Sequence, residues 1–283
     1  MADTTLDSDL ACPANGVVIG VSGVTLDLGR HTIQGIGGVG LGMVTGGGAS
    51  GQGVSRVTVR NGRVGGFRHA IVLGPGTDYV VRDATVYGSH DGVLLASVAR
   101  ALVERVTATG NDGSGITAPQ SRDVTIRRNQ VHDNAAGVGG VGLEHSLIVR
   151  NLIERNTFYG LRYIGVNNST FERNVVSANG ELGIALEGGA TGNRVAHNRV
   201  RATVGDGIFL ADDSGANVLY GNRSNRNTHD GFAVMGTGAT LIRNSAARNG
   251  ALGFNVPVGA ALARRNEARR NGDPRQCVGI RCR

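Results

Sequence analysis

Histidine, aspartate and arginine gather at one kind of place in this chain. Asp-Gly occurs at Asp91-Gly92, Asp206-Gly207 and Asp230-Gly231, and His69 holds the equivalent position before Ala70. One residue upstream stand Arg68, His90 and His229. Imidazole beside carboxylate is competent for proton transfer, because the carboxylate orients the ring and stabilises its protonated form. An arginine alongside would hold an anionic substrate. If intervals near 23 residues bring these positions together, two groups result. The first is Arg68, His69, His90 and Asp91, with Asp112 from the next interval. The second is Asp206, His229 and Asp230, with Glu181 at greater reach. Asp206 and Asp230 would repel unless one is protonated or a cation such as calcium lies between them. Asp-Gly is also a favourable turn dipeptide, so a purely structural role competes with each catalytic reading.

The elements that would position these groups follow from a repeat. Gly92, Gly115, Gly137, Gly160, Gly183, Gly207, Gly231 and Gly253 each precede an aliphatic or aromatic residue, at steps of 22 to 24. A period in the low twenties marks a solenoid. One asparagine recurs at Asn129, Asn151, Asn174, Asn198, Asn222, Asn244 and Asn266. A second recurs at Asn134, Asn156, Asn179, Asn227, Asn249 and Asn271, with Thr203 as the break. Apolar residues flank the first file singly or at spacing two, as at Ile126 and Val131, which predicts three short strands per repeat and no helix. Gly and Asn tolerate the backbone angles of the turns between them. Helical repeats need a longer period and less glycine. The predicted architecture is an all-β parallel solenoid of about ten coils, some 50 Å long at ~4.8 Å per coil.

The Gly-Ile starts and paired asparagines closely resemble the parallel β-helix repeat of the pectate-lyase-like superfamily, including its NosD-like periplasmic members. The resemblance covers residues 55–272 and implies a right-handed, single-stranded coil with three sheets. Lyases, epimerases, hydrolases, phage adhesins and non-catalytic scaffolds all use that coil, so the resemblance carries fold and not activity. Family signatures are missing. Alginate epimerases of this fold carry Asp-Pro-His, whereas the one Asp-Pro here, Asp273-Pro274, precedes Arg275. Asp212-Asp213 resembles the paired aspartates of polygalacturonases without their Gly-His-Gly, and the tryptophan motif of pectate lyases is impossible because the chain has no tryptophan.

Residues 1–34 are expected to form an N-terminal cap and first strand, residues 35–272 the solenoid, and residues 273–283 a C-terminal cap. A glycine-rich stretch, residues 35–53, reads as a loop projecting from the first full coil. Of three cysteines, Cys277 and Cys282 sit close enough to pair, while Cys12 has no obvious partner. That usage points to an exported protein, secreted or in the periplasm or envelope. No apolar run is long enough to span a membrane, and no signal peptide is visible.

All 29 basic residues are arginine, and the net charge is +7. With no lysine and no tryptophan, recognition of a sugar polymer must use charge, Tyr and Phe. On the strand that follows the repeat glycine, the candidate substrate-binding residues are Tyr159, Arg162, Glu187 and Phe209, with Arg68 beside the first group. A further file, Arg105, Arg128, Arg150 and Arg173 followed by His197, predicts a cationic ridge about 14 Å long over its four arginines at the strand spacing; it would attract polyanions or serve as a solvated face.

Three functions fit these residues. The first is an exported enzyme acting on an acidic polysaccharide by lyase- or epimerase-like proton abstraction. The second is a non-catalytic polyanion-binding or structural envelope rod. The third is a small-molecule isomerase or cyclase with the glycine-rich stretch as a lid. Nucleic acid is disfavoured, because the arginines lack interleaved aromatic residues.

Overall fold

The computed structural model describes residues 3–46 and 53–283, and over them the chain is all β with no helix. Twelve parallel strands stack on a first face, from Val17–Ile19 to Cys277–Val278. Two further faces hydrogen-bond into one 22-stranded sheet, because long strands such as Val57–Gly65 and Gly76–Tyr87 run through the corner between them. Each strand pairs with its equivalent one coil on, for example Val93 opposite Ile116 and Val138 opposite Leu161. The expected ten coils are therefore twelve. The early coils lack the corner asparagines, and the last strand, Cys277–Val278, lies in the segment expected as a C-terminal cap. No helix is long and apolar enough to cross a membrane.

The segment expected as a cap is already wound: Thr4–Thr5 pairs with Val24–Asp27, and Leu10–Cys12 with Thr32–Gly35. Within the glycine-rich stretch, Leu41–Thr45 is a strand of the first face, and Leu41 lies opposite His69. Gly42 is therefore the counterpart of Ala70. Residues 47–52 of the expected loop lie outside the described residues. At the other end Cys277 and Cys282 form a disulfide, while Cys12 is free.

Why the coil closes is visible at its corners. The residue before each first asparagine has a left-handed backbone, as at Arg128, Arg150, Arg173 and Arg243, with φ of 55° to 57°. The asparagine that follows is buried and bonds along the stack. Asn174 Nδ2 donates to Ile148 O at 2.8 Å and to Asn198 Oδ1 at 3.0 Å, while Asn174 Oδ1 accepts from the backbone and side chain of Asn151. That file runs unbroken from Asn129 to Asn266. It satisfies backbone groups that the corner removes from the sheet and that burial would otherwise leave unpaired. The second file ends on Gln276, whose Oε1 accepts from Asn271. A third, not read from the sequence, mixes serine with asparagine: Ser146, Ser169, Asn193 and Asn217.

Inward positions stack apolar residues on apolar residues, ending in Phe232 on Phe254 with rings 4.6 Å apart. The repeat glycines lie where coils come closest. A Cβ on Gly92 would sit 2.5 Å from the carbonyl oxygen of Gly115 and 2.7 Å from Val86.

Among the described residues four buried side-chain polar atoms have no hydrogen-bond partner, and two of them, Thr203 Oγ1 and Tyr163 Oη, have no ion pair either. Thr203 still donates its N–H to Asn227 at 3.1 Å, but it offers no amide to the second file. Thr203→Asn is expected to rejoin that file and raise unfolding stability by about 1 kcal/mol. Tyr163→Phe removes a hydroxyl that burial leaves without a partner, and a similar gain of about 1 kcal/mol is expected. Urea titration followed by circular dichroism checks both. A loss of stability in Thr203→Asn would show that the break is required by packing.

Candidate functional site

The stacking brings the first group together at the start of the first face. Asp91 lies opposite His69, one coil apart. His69 Nδ1 is 3.0 Å from Asp91 Oδ2, and both side chains are largely buried. The ring N–H is not aligned for a hydrogen bond, so the contact is an ion pair by distance alone. His90 Nδ1 stands 2.7 Å from Asp112 Oδ1, and both of these are exposed. The two imidazoles meet edge to face with centroids 5.9 Å apart. Arg68 is exposed beside them, and its carbonyl accepts the His90 N–H at 2.9 Å. For His90 the hydrogen-bonded carboxylate at Nδ1 fixes the tautomer and leaves Nε2 to exchange protons.

The second group is arranged differently. Asp206 Oδ1 accepts the Asp230 N–H at 2.9 Å. Asp230 is buried, with Oδ1 accepting from Leu252 N at 2.8 Å and Oδ2 from Asn255 Nδ2 at 2.8 Å. Asp91 Oδ1 does the same for Ser114 N at 2.9 Å. These aspartates cap the backbone of the following coil, which is the turn role that Asp-Gly allows. His229 is exposed and forms no ion pair with either carboxylate among the described residues. Burial raises the Asp206 pKa, and the neighbouring charge of Asp230 adds to the rise. Among the described residues no three His, Cys, Asp or Glu side chains converge to hold a metal ion.

Further along the first face, Arg162 Nε and Nη2 reach Glu187 Oε2 at 2.8 and 2.6 Å, and the guanidinium lies over the Tyr159 ring at 4.5 Å. The Arg162 charge is thus already engaged. Burial, followed by Glu181, raises the Tyr159 pKa, so this phenol is not disposed to act as a base. Phe209 is separated from Arg162 by Ala185, which is fully buried between them. The three coils between His90 and Arg162 set the two groups about 14 Å apart along the stack.

The arginine ridge is present and uneven. In its first half, Glu104 is buried and draws in Arg105, Arg127 and Arg128 at 2.9 to 3.3 Å. Arg105 also reaches Asp83 at 2.6 Å. A parallel file on the next corner, Arg155, Arg226, Arg248 and Arg270, was missed in the sequence. Its signal was there to read: each of these precedes an asparagine of the second file.

The family described as the right-handed β-helix region matches residues 69–223, more than half of the chain. No curated protein sequence matches it. Among solved structures, the periplasmic alginate epimerase AlgG superposes with a TM-score of 0.78 at 18% identity, over 93% of this chain and 73% of that one. The mannuronan C-5 epimerase AlgE6 A-module of Azotobacter vinelandii gives 0.72 at 19% identity, over 92% and 80%. The Dettilon tailspike protein gives 0.67 at 12% identity, over 91% and 57%. Likeness at these identities establishes a shared fold.

The buried carboxylates make a pH prediction. The folded pKa of Asp206 lies above its ordinary 3.8, so between those two values the folded state holds more protons than the unfolded state. Stability from this group is therefore full below pH 3.8 and is lost as pH rises through the folded pKa. Asp206→Asn keeps an acceptor for Asp230 N–H and removes the charge. Its stability advantage over the parent is expected to be near zero at pH 3 and to grow towards pH 7, as measured by chemical denaturation across that range.

Proposed function

This chain belongs to the right-handed β-helix family, and within it we propose that it acts on an acidic polysaccharide by proton abstraction at His69 and His90. The observation that carries this reading is the pair of imidazoles 5.9 Å apart, each with a carboxylate at Nδ1 and an exposed arginine alongside. The fold likeness to an alginate epimerase and a mannuronan C-5 epimerase supports a uronate polymer as the substrate class. Support for export comes from the Cys277–Cys282 disulfide and from the periplasmic location named for one neighbour.

The chemistry needs a base, charge neutralisation and a proton donor. His90, oriented by Asp112, takes the proton bonded to the sugar carbon next to the carboxylate. The electron pair of that C–H bond moves onto the carboxylate, which Arg68 neutralises. His69 then returns a proton to the same carbon, giving the epimer. Alternatively the electron pair forms a carbon–carbon double bond as the glycosidic oxygen on the adjacent carbon leaves, taking its proton from His69, which gives an unsaturated sugar and a free chain end. Asp206, Asp230 and His229 take no part, since both carboxylates are committed to backbone N–H groups. Arg162, Tyr159, Glu187 and Phe209 form the wall along which the polymer would extend.

A non-catalytic rod is the second reading, favoured by Arg162 being already paired with Glu187. Incubating the protein with polymannuronate and polygalacturonate in deuterium oxide separates the two. Proton NMR is expected to show deuterium entering at the carbon next to the carboxylate. His90→Ala is expected to lower that rate by about a hundredfold or more, and His229→Ala to leave it unchanged. Absence of exchange in every polyuronate would overturn the enzymatic reading.

A further inference from the structure

The second half of the molecule carries a feature that neither the catalytic reading nor the first face explains. On the third face, between the two arginine corners, runs a groove of 1170 Å³ lined by nine arginines and a single acid, Glu267. Its floor is small and polar: Asn225, Ser245 and Ala247, half-buried on adjacent strands. Arg201 and Arg223 stand at one end of that floor and Arg269 at the other. Arg243 and Arg265 form one rim, and Arg226, Arg248 and Arg270 form the other. A second hollow of 410 Å³ continues the groove past Arg199 and His197 to Arg173, and Gly221 and Arg223 line both. Gly221 brings no side chain to the rim, and the His197 ring lies over it, 2.8 Å from where a Cβ would stand.

The charge here is not locally neutralised as it is in the first half. Among the described residues, Glu267 pairs with Arg269 at 3.0 Å, and Arg243 donates to the Tyr220 hydroxyl at 3.0 Å. Arg201, Arg223, Arg226, Arg248, Arg265 and Arg270 enter no ion pair with the described acids. Like charges stacked at the coil spacing repel, at a cost that a bound anion would remove. The corner arginines are also held in place. Each has a fixed left-handed backbone, and each precedes an asparagine tied into a buried file. The backbone positions of these cations are therefore set before any ligand arrives, while each unpaired guanidinium keeps its rotamer freedom.

We propose that this groove binds a linear anionic polysaccharide lying along the rod axis. Its five coils, from the one bearing Arg173 to the one bearing Arg269, extend about 19 Å at ~4.8 Å each. A polymer with one carboxylate per sugar repeats its charge at nearly that interval, so successive carboxylates meet successive coils. No Phe, Tyr or Trp lines either hollow. That argues against single-stranded nucleic acid, whose bases are held by stacking on aromatic side chains. The site lies on a different face from His69 and His90 and does not depend on their chemistry.

The test measures binding of fluorescein-labelled polygalacturonate oligomers by anisotropy at low and moderate salt. The triple variant Arg223→Gln, Arg248→Gln, Arg269→Gln is expected to weaken binding roughly tenfold or more and to flatten its salt dependence. A charge-matched control, Arg30→Gln, Arg56→Gln, Arg122→Gln, removes exposed arginines elsewhere and is expected to change affinity less than threefold, roughly the scatter of exposed pairs. As an independent probe, Ser245→Glu places a carboxylate on the groove floor and is expected to weaken binding at unchanged melting temperature. Equal losses in the two triple variants would overturn the proposal, because binding would then follow net charge alone. Tighter binding of oligodeoxythymidylate than of the uronate oligomer would overturn the choice of ligand. Neither outcome depends on deuterium exchange, so the groove and the catalytic reading stand or fall separately.

Discussion

Closing a coil of parallel strands forces the backbone round three corners, and each corner withdraws amide groups from the sheet while keeping them out of water. The files of buried side-chain amides answer that constraint. Each asparagine both donates and accepts along the axis, so one residue type serves its own corner and the one before it. Left-handed arginines just outside these files are a consequence of the same turn. Their backbone angle costs something for any residue but glycine, and the hydrogen bonds of the asparagine that follows offset it.

Strict stacking has an electrostatic corollary. A residue type repeated at one corner becomes a column of like charges a few ångströms apart. The first half of the rod answers with acids placed one coil away. Arg100 holds Asp78 down at about 2, and hydrogen bonding from Arg105 lowers Asp83. Arg155 does the same for Asp133. Beyond Arg173 these partners become sparse, and the positive column is left to solvent or to a ligand. The asymmetry between the two halves is thus a matter of where the acids stop, since arginine continues throughout.

Much of this was legible in the sequence, for a physical reason: a solenoid converts sequence interval into spatial adjacency, so columns can be read directly. That logic placed His69 against Asp91 and His90 against Asp112. Coil number was less legible, because early corners use Gly62, Ala84 and Val106 where later ones use asparagine, and so carry no mark. The third file was hidden by its mixture of serine with asparagine. Side-chain direction was the larger gap. Nothing in the interval between Asp206 and Asp230 says that both carboxylates turn to backbone N–H groups, because that depends on the pleat of the strand each one begins.

The interruption at Thr203 bears on how the rod moves. In a one-dimensional stack, cohesion between neighbours is the sum of the links crossing each junction. At the junction before Thr203, Asn174 still bonds to Asn198 and Ser169 to Asn193, while Asn179 finds no side-chain amide at that position. Among the central coils, this is the seam where transient parting costs least. It lies between the histidine end and the deeper part of the arginine groove, and the strands on either side stay paired across it.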